Sequence, residues 1–109
     1  MNDINSDIDI RLRSVGLRAT LMGFRYLSSA IALVLDDESY LHCLTTRLYP
    51  DVAAQFHVSP ASVEHSMRTM VEVFWDREDH RPLEKILGYP LSRRPSTGEF
   101  IDLLSSSMK

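Results

Sequence analysis

Apolar residues recur along most of the chain at intervals of three and four positions, the spacing of one face of an α-helix. The clearest stripe belongs to a helix predicted from about residue 20 to residue 36, with Thr20 as its N-cap; its apolar members are Leu21, Phe24, Leu27, Ile31 and Val34. A shorter apolar segment covers residues 7–15 and contains Ile8, Ile10, Leu12 and Val15. Strict alternation of apolar and polar residues, typical of strands, is absent. The pattern predicts an all-α fold.

The middle of the chain leaves two alternatives open. Leu41, Leu44 and Leu48 again have helical spacing, but Pro50 follows them directly. Proline is tolerated in the first turn of a helix and bends or ends a helix elsewhere. Either a helix begins at Pro50 or one longer helix bends there. Cys43 lies within this apolar pattern, so we expect it to be a buried core thiol.

Capping signals delimit the remaining helices. Ser59 followed by Pro60 predicts a helix start, and the helix extends to about Asp76. A short helix over residues 83–87 ends at Gly88, and residues 93–95 form a connector. Ser96 and Glu99 have the spacing of a capping box in front of the last helix. These elements give a compact six-helix domain over residues 7–109, preceded by a flexible N-terminal tail at residues 1–6.

Composition narrows the class of protein. The chain has 109 residues, the size of one domain, and no apolar run approaches the roughly 20 residues of a membrane span. The first residues lack the features of a signal peptide, and Cys43 is the only cysteine, so we expect a reduced, cytoplasmic protein. The four histidines have no metal-ligand spacing, and no glycine-rich phosphate loop is present. We therefore expect no metal, no cofactor and no enzymatic activity.

Residues 50–76 have the pattern of a helix-turn-helix. Such a motif needs a small residue where the two helices cross, an apolar residue in the turn and an apolar residue early in the second helix. Ala53, Val58 and Val63 meet these three requirements in order. On the pattern alone, DNA binding and a plain helical hairpin within a bundle are equally good interpretations.

The predicted second helix divides into two faces at about 100° per residue. Its core face contains Val63, Met67, Met70, Val71 and Phe74. Its outer face contains residues that can contact DNA bases or phosphates, and Arg68 can form a bidentate pair with guanine. The candidate DNA-binding residues are Ser59, Ala61, Ser62, Glu64, His65, Arg68 and Thr69, with Arg93 and Arg94 added from the connector. Glu72 also falls on the outer face. A solvated surface face is the competing interpretation.

At these residues the sequence resembles the C-terminal effector domain of the master sporulation response regulator of endospore-forming bacteria. The resemblance runs from about Ile8 to the last helix. It is carried by Gly16-Leu17, Gly23-Phe24-Arg25-Tyr26-Leu27, Ala30-Ile31, Leu48-Tyr49-Pro50-Asp51-Val52-Ala53, Ser62-Val63-Glu64, Arg68, Val71-Glu72-Val73 with Trp75, Gly88-Tyr89, and Pro95 with Glu99-Phe100-Ile101.

The resemblance implies a six-helix fold and binding of double-stranded DNA at short promoter boxes, often as tandem copies that form a homodimer on the DNA. It also implies contact with the sigma subunit of RNA polymerase, close to the acidic stretch that holds Asp76, Glu78 and Asp79. In that family a phosphorylated receiver domain precedes the effector domain, and this chain has no room for one. We expect a cut-out domain or a stand-alone relative.

The departures from the family pattern support a second hypothesis. The family has basic residues where this chain has Ser62 and His65, whereas Glu64 and Arg68 match. The net charge of −3, and of −2 within residues 50–77, disfavours a protein that binds nucleic acid by charge alone. The alternative to a DNA-binding transcription regulator is a degenerate relative that acts as a helical protein-interaction module without DNA binding.

Overall fold

The computed structural model describes residues 4–19 and 21–109, and within them it contains six α-helices and no strand. The α-helices are α1 (Ile4–Ser14), α2 (Met22–Asp36), α3 (Tyr49–Phe56), α4 (Pro60–Arg77), α5 (Arg81–Leu87) and α6 (Thr97–Ser106). The all-α prediction is confirmed. Helix α1 begins at Ile4, so residues 4–6 are helical, although the sequence interpretation assigned them to the tail. Thr20, the predicted N-cap, lies outside the described residues, and Leu21 occupies the cap position of α2.

The core consists of the apolar stripes that the spacing predicts. Helix α2 buries Phe24, Leu27, Ile31 and Val34, while α1 contributes Ile8 and Leu12, and Val15 is buried directly after α1. Two predicted members of these stripes are on the surface instead: Ile10 is 66% exposed and Leu21 is 36% exposed. Ile10 lies on the face of α1 that points away from the core. Leu21 precedes the first residue of α2.

The segment between α2 and α3 is helical but not α-helical. A 3₁₀ turn covers Glu38–His42, and a π-helical turn covers Leu44–Leu48 and runs directly into α3. Pro50 lies in the first turn of α3, so the structure selects a helix start over a bend within an α-helix. Pro50 has no N–H to donate, and in an α-helix its ring would clash with the carbonyl group four residues earlier. The wider π-helical turn before α3 accommodates both effects. Cys43 lies between the two turns and is only partly buried, so the predicted core thiol is wrong.

A close approach joins α2 to α4. Gly23, near the start of α2, lies against the backbone of α4: a Cβ atom at this position would be 2.5 Å from the carbonyl oxygen of Ser66. Only glycine allows two helix backbones to approach this closely without displacement. The contact holds the middle of α4 at the N-terminal end of α2. On the other side, Phe74 of α4 packs on Phe100 of α6, with ring centroids 5.3 Å apart.

Candidate nucleic-acid interface

Helices α3 and α4 are consecutive and are joined by residues 57–59. Ala53 of α3 is 2% exposed and Val63 of α4 is fully buried, as the sequence predicts for a close crossing. His57 reverses the chain with φ 56° and ψ 42°, a left-handed conformation that is uncommon for residues other than glycine. Val58 is 37% exposed, so the predicted apolar plug in the turn is wrong. Ala53 and Val63 already close the crossing, and the left-handed residue makes the turn without a buried side chain.

The start of α4 has the predicted cap. The Ser59 hydroxyl accepts a hydrogen bond from the backbone N–H of Ser62 at 3.1 Å, and Pro60 is the first helical residue. The Ser59 hydroxyl also donates to the Ser62 hydroxyl at 2.9 Å. The first turn of α4 is exposed to solvent, including Ala61 and Ser62. A capped and exposed helix N-terminus carries partial positive charge, which favours an anion in front of it.

Helix α4 separates core residues from polar residues along its length. The buried residues are Val63, Met67, Met70, Val71 and Phe74. His65, Arg68 and Thr69 are exposed on the opposite side, whereas Glu64 and Glu72 are partly buried at its edges. The prediction of an exposed Arg68 is confirmed. The polar face is continuous with the exposed first turn, so it forms one surface about three turns long.

Arg68 lies at the centre of a small polar cluster. Its guanidinium group donates to Glu64 Oε1 at 3.0 Å and to His65 Nδ1 at 3.2 Å. Because a guanidinium group can only donate, Nδ1 of His65 accepts and its Nε2 carries the ring proton. His65 therefore presents an N–H donor to solvent. The ion pair with Glu64 is an exposed i, i+4 pair, which stabilises a helix by only about 0.3–0.5 kcal/mol. Arg68 can leave this pair at little cost.

Arg93 and Arg94, predicted together, are separated by the structure. Arg93 forms a bidentate ion pair with Glu99, with N–O distances of 3.3 Å and 3.0 Å. Glu99 also completes the capping box of α6 by accepting from the backbone N–H of Ser96 at 2.9 Å. The hydrogen bond from the Ser96 backbone, followed by that from Arg93, holds the pKa of Glu99 below its ordinary value. The ion pair with Glu99 thus holds the Arg93 side chain beside the start of α6.

Arg94 instead lines a groove that runs beside α4. The groove has a volume of about 450 Å³, and its walls include Arg68, Glu72 and the start of α6 at Thr97. Arg94 forms no ion pair within the part of the chain that the structure describes. Tyr49 closes the groove and is buried; burial raises the pKa of its hydroxyl, to which the nearby charge of Glu64 also contributes. The sequence pattern did not place Tyr49 beside Arg94, because the two residues are distant in the chain and meet only in the folded structure.

Two exposed apolar residues at the start of α2 flank the outer face of α4. Met22 is 50% exposed, and Leu21 and Met22 line a shallow depression together with His65 and Thr69. Sequence reasoning missed this juxtaposition because residues 21 and 65 are distant in the chain. The only local signal is Gly23, whose missing side chain permits the contact.

The acidic stretch after α4 is held by local contacts. Glu78 pairs with Arg18, and both carboxylate oxygens of Asp79 accept from Arg81. His80 Nε2 donates to the carbonyl oxygen of Trp75 at 2.8 Å, and the two rings stack with centroids 4.2 Å apart. Within residues 4–19 and 21–109, no three His, Cys, Asp or Glu side chains gather in a group that could hold a metal ion. The helices of these same residues are all too short or too polar to cross a membrane.

The chain matches a known protein family. The model of a family described as the sporulation initiation factor Spo0A C terminal matches residues 8–108, which is nearly the whole chain. The matched range begins within α1 and extends past the end of α6.

Proposed function

The chain belongs to the family of the C-terminal domain of the sporulation initiation factor Spo0A, a family of DNA-binding effector domains, and on this premise we propose that it binds promoter DNA sequence-specifically through α4. The observation that carries the proposal is the exposed polar face of α4, which begins at a capped helix N-terminus and includes Arg68. An α-helix fits the major groove, where its N-terminal half reaches the base edges. In this proposal α3 and α4 together form the helix-turn-helix, with α4 as the helix that enters the major groove.

The chemistry of this face suits the major groove. Arg68 is the cation of the outer face, and a guanidinium group pairs with guanine O6 and N7 through two parallel hydrogen bonds. His65 adds an N–H donor beside it, since a neutral imidazole carries one ring N–H in either tautomer. Ser62 and Thr69 supply hydroxyl groups at either end. Glu64, once released from Arg68, can accept from cytosine N4.

Phosphate contacts would orient the helix without reading sequence. The exposed first turn, with Ser59 and Ala61, can approach a phosphate through the partial positive charge of the helix N-terminus. Arg94 is free of an ion pair in the described part of the chain and lies beside α4 in its groove. Arg93 would first have to leave Glu99, so we assign it a smaller role than Arg94.

The proposal predicts that Arg68→Ala weakens binding to the preferred DNA. The duplex is first selected from a random pool, and the dissociation constants are then measured by fluorescence anisotropy. Losing a guanine contact should cost about 1–2 kcal/mol, or roughly 5- to 30-fold in affinity, and should relax the preference at one base position. Arg77→Ala is the matched control, because Arg77 is also exposed on α4 but lies at its C-terminal end. A variant at Arg68 that binds as tightly as the parent would remove this residue from the interface.

A second prediction concerns the dependence on salt. Ion pairs occupy Arg18, Arg47, Arg68, Arg81, Arg93 and Lys109, so about half of the cations of this acidic chain are already neutralised. We expect few phosphate contacts, and hence a slope of log K against log salt of about −3 to −5 for one domain. The measurement repeats the anisotropy titration of the selected duplex at several concentrations of KCl. A slope near −8 would mean that many more phosphates are bound than these residues can reach.

One observation favours a second candidate function. Residues 50–77 contain Arg68 and Arg77 against Asp51, Glu64, Glu72 and Asp76, and Arg68 is itself paired with Glu64. This acidic balance fits a helical protein-interaction module that has lost DNA binding. The two experiments above distinguish the two functions. An interaction module would enrich no duplex in the selection, and its slope of log K against log salt would be near zero.

The remaining parts of the proposal rest on family membership. We infer that the protein works in the cytoplasm, that it contacts the sigma subunit of RNA polymerase and that two copies bind tandem DNA boxes as a homodimer. The stoichiometry on a duplex with one or two copies of the selected box, measured by analytical ultracentrifugation, tests the last point.

A further inference from the structure

A second cleft, distinct in its lining from the groove beside α4, combines two cations with apolar residues. It lies between α1, α2 and the end of α3, and its volume of about 520 Å³ is within the usual range of small-ligand sites. Phe24, Leu33 and Phe56 line its floor and walls. Arg13 of α1 and Arg25 of α2 line the same cleft.

Both guanidinium groups lie over aromatic rings. The guanidinium carbon of Arg13 is 5.6 Å from the ring centroid of Phe24, and that of Arg25 is 5.5 Å from the ring centroid of Phe56. Phe56 is held in turn by an edge-to-face contact with the buried ring of Tyr26, with centroids 5.1 Å apart. Stacking on a fixed ring restricts a guanidinium group while leaving its N–H donors free. The two arginines are thus partly preorganised for an anion.

No carboxylate forms an ion pair with these two cations in the part of the chain that the structure describes. Arg13 and Arg25 form no ion pair there, in contrast with Arg18, Arg47 and Arg68. Asp9 is the acidic residue of the cleft, and its Oδ1 accepts from the Ser28 hydroxyl at 2.7 Å. With Asp9 ionised, the cleft keeps a net formal charge of +1 in a protein whose overall charge is −3.

Neutral polar groups complete the cleft. The Ser29 hydroxyl donates to Gln55 Oε1 at 2.6 Å, which ties α2 to the last turn of α3. The amide nitrogen of Gln55 remains as a donor beside Arg25. A ligand bound here would contact α3 one residue before Phe56 and two before the left-handed turn at His57.

We propose that this cleft binds a phosphoryl group, whose oxygens accept hydrogen bonds from Arg13 and Arg25 while an attached apolar or aromatic body contacts the apolar lining around Leu33. The planar forks of two guanidinium groups match the geometry and the double charge of a phosphomonoester. The phosphoryl group has two possible sources, a small phosphomonoester or a backbone phosphate of bound DNA. The inference holds for the small ligand whether or not α4 reads DNA.

The first arm of the test uses phenyl phosphate without DNA. The whole chain, labelled with ¹⁵N, is titrated with phenyl phosphate, and with inorganic phosphate in parallel, while amide chemical shifts are recorded. For the small-ligand source, we expect saturable shifts at cleft residues with phenyl phosphate, and weaker ones with inorganic phosphate because it lacks the aromatic body. Arg13→Gln and Arg25→Gln should each weaken binding about ten-fold or more, because each removes charge-assisted hydrogen bonds. Arg77→Gln should leave binding unchanged, because Arg77 is an exposed cation of α4 that forms no ion pair with any residue the structure describes.

The second arm measures the affinity of the same variants for the selected duplex. A backbone phosphate is identified as the source by three results together. The Arg13 and Arg25 variants bind DNA more weakly, the Arg77 variant binds as the parent does, and phenyl phosphate produces no response. Arg25→Lys distinguishes the effect of geometry from that of charge, because lysine keeps the positive charge but lacks the planar guanidinium group. Its affinity should lie between those of the parent and of Arg25→Gln. The proposal is overturned if phenyl phosphate produces no saturable shifts and the DNA affinities of the two cleft variants match that of Arg77→Gln. It is also overturned if all three variants bind phenyl phosphate as the parent does.

Discussion

Replacing Phe74 by alanine is expected to lower the free energy of unfolding by about 3–5 kcal/mol, a large part of the roughly 5–15 kcal/mol of a typical domain. Phe74 is 1% exposed and lies on the inner face of α4. Its ring packs on Phe100 of α6, with centroids 5.3 Å apart, and on the ring of His80 at 5.3 Å. Truncation therefore removes buried apolar area and leaves a cavity between α4, α6 and the turn before α5.

Urea denaturation followed by circular dichroism measures this effect. Thr69→Ala is the matched control, because Thr69 is on the same helix but exposed, and its replacement should change stability by less than about 0.5 kcal/mol. If the two variants had equal stabilities, the inner face of α4 would not be the core of the domain. If Phe74→Ala is unfolded at 25 °C, Phe74→Leu should still give a measurable and smaller loss.

Gly23→Ala is expected to cost about 3 kcal/mol, the upper end of the range for overpacked sites. The added Cβ would lie 2.5 Å from the carbonyl oxygen of Ser66 and 3.1 Å from Cβ of Met70, so α2 and α4 must separate. Neither obstacle is the free end of a flexible side chain. Because Ser66 belongs to α4, the displacement should also move the proposed reading face and lower DNA affinity in whatever fraction stays folded.

Gly98→Ala is the internal control for this prediction. Gly98 is also in a helix, and its added Cβ would meet Leu44 Cδ1 at 2.6 Å, the far end of a side chain that can rotate away. Alanine is favoured over glycine in a helix by about 1 kcal/mol, so this variant should be close to neutral. The comparison uses thermal and urea unfolding of both variants. Equal stabilities would show that the α2–α4 contact tolerates a side chain.

Much of the fold was predictable because its signals are local. The division of α4 into two faces follows from helical geometry, and Met67 and Arg68 fall on opposite sides as the spacing predicts. Ser59 and Ser96 cap their helices because a hydroxyl reaches an N–H two or three residues ahead. The short range of these interactions makes them readable in the sequence.

The errors arise where the backbone departs locally from α-helical geometry, or where distant parts of the chain meet. Cys43 was expected in the core, but the π-helical turn before α3 leaves it only partly buried. Val58 was expected as a plug, but the left-handed residue His57 makes the turn without one. The assignment of the DNA-contacting residues stays a prediction, and the different surroundings of Arg93 and Arg94 could not be foreseen, since they depend on where Glu99 and the groove come to lie.

The separation of the two faces of α4 has a consequence for how this domain can evolve. Exposed positions such as Ser62, His65 and Thr69 can change at a cost of less than about 0.5 kcal/mol each, because they take no part in the core. If α4 reads DNA as proposed, single substitutions on this face would change the preferred DNA sequence without passing through unstable intermediates. The inner face has no such freedom. A lineage that altered Gly23 or Phe74 would instead need compensating substitutions in the core to keep the domain folded.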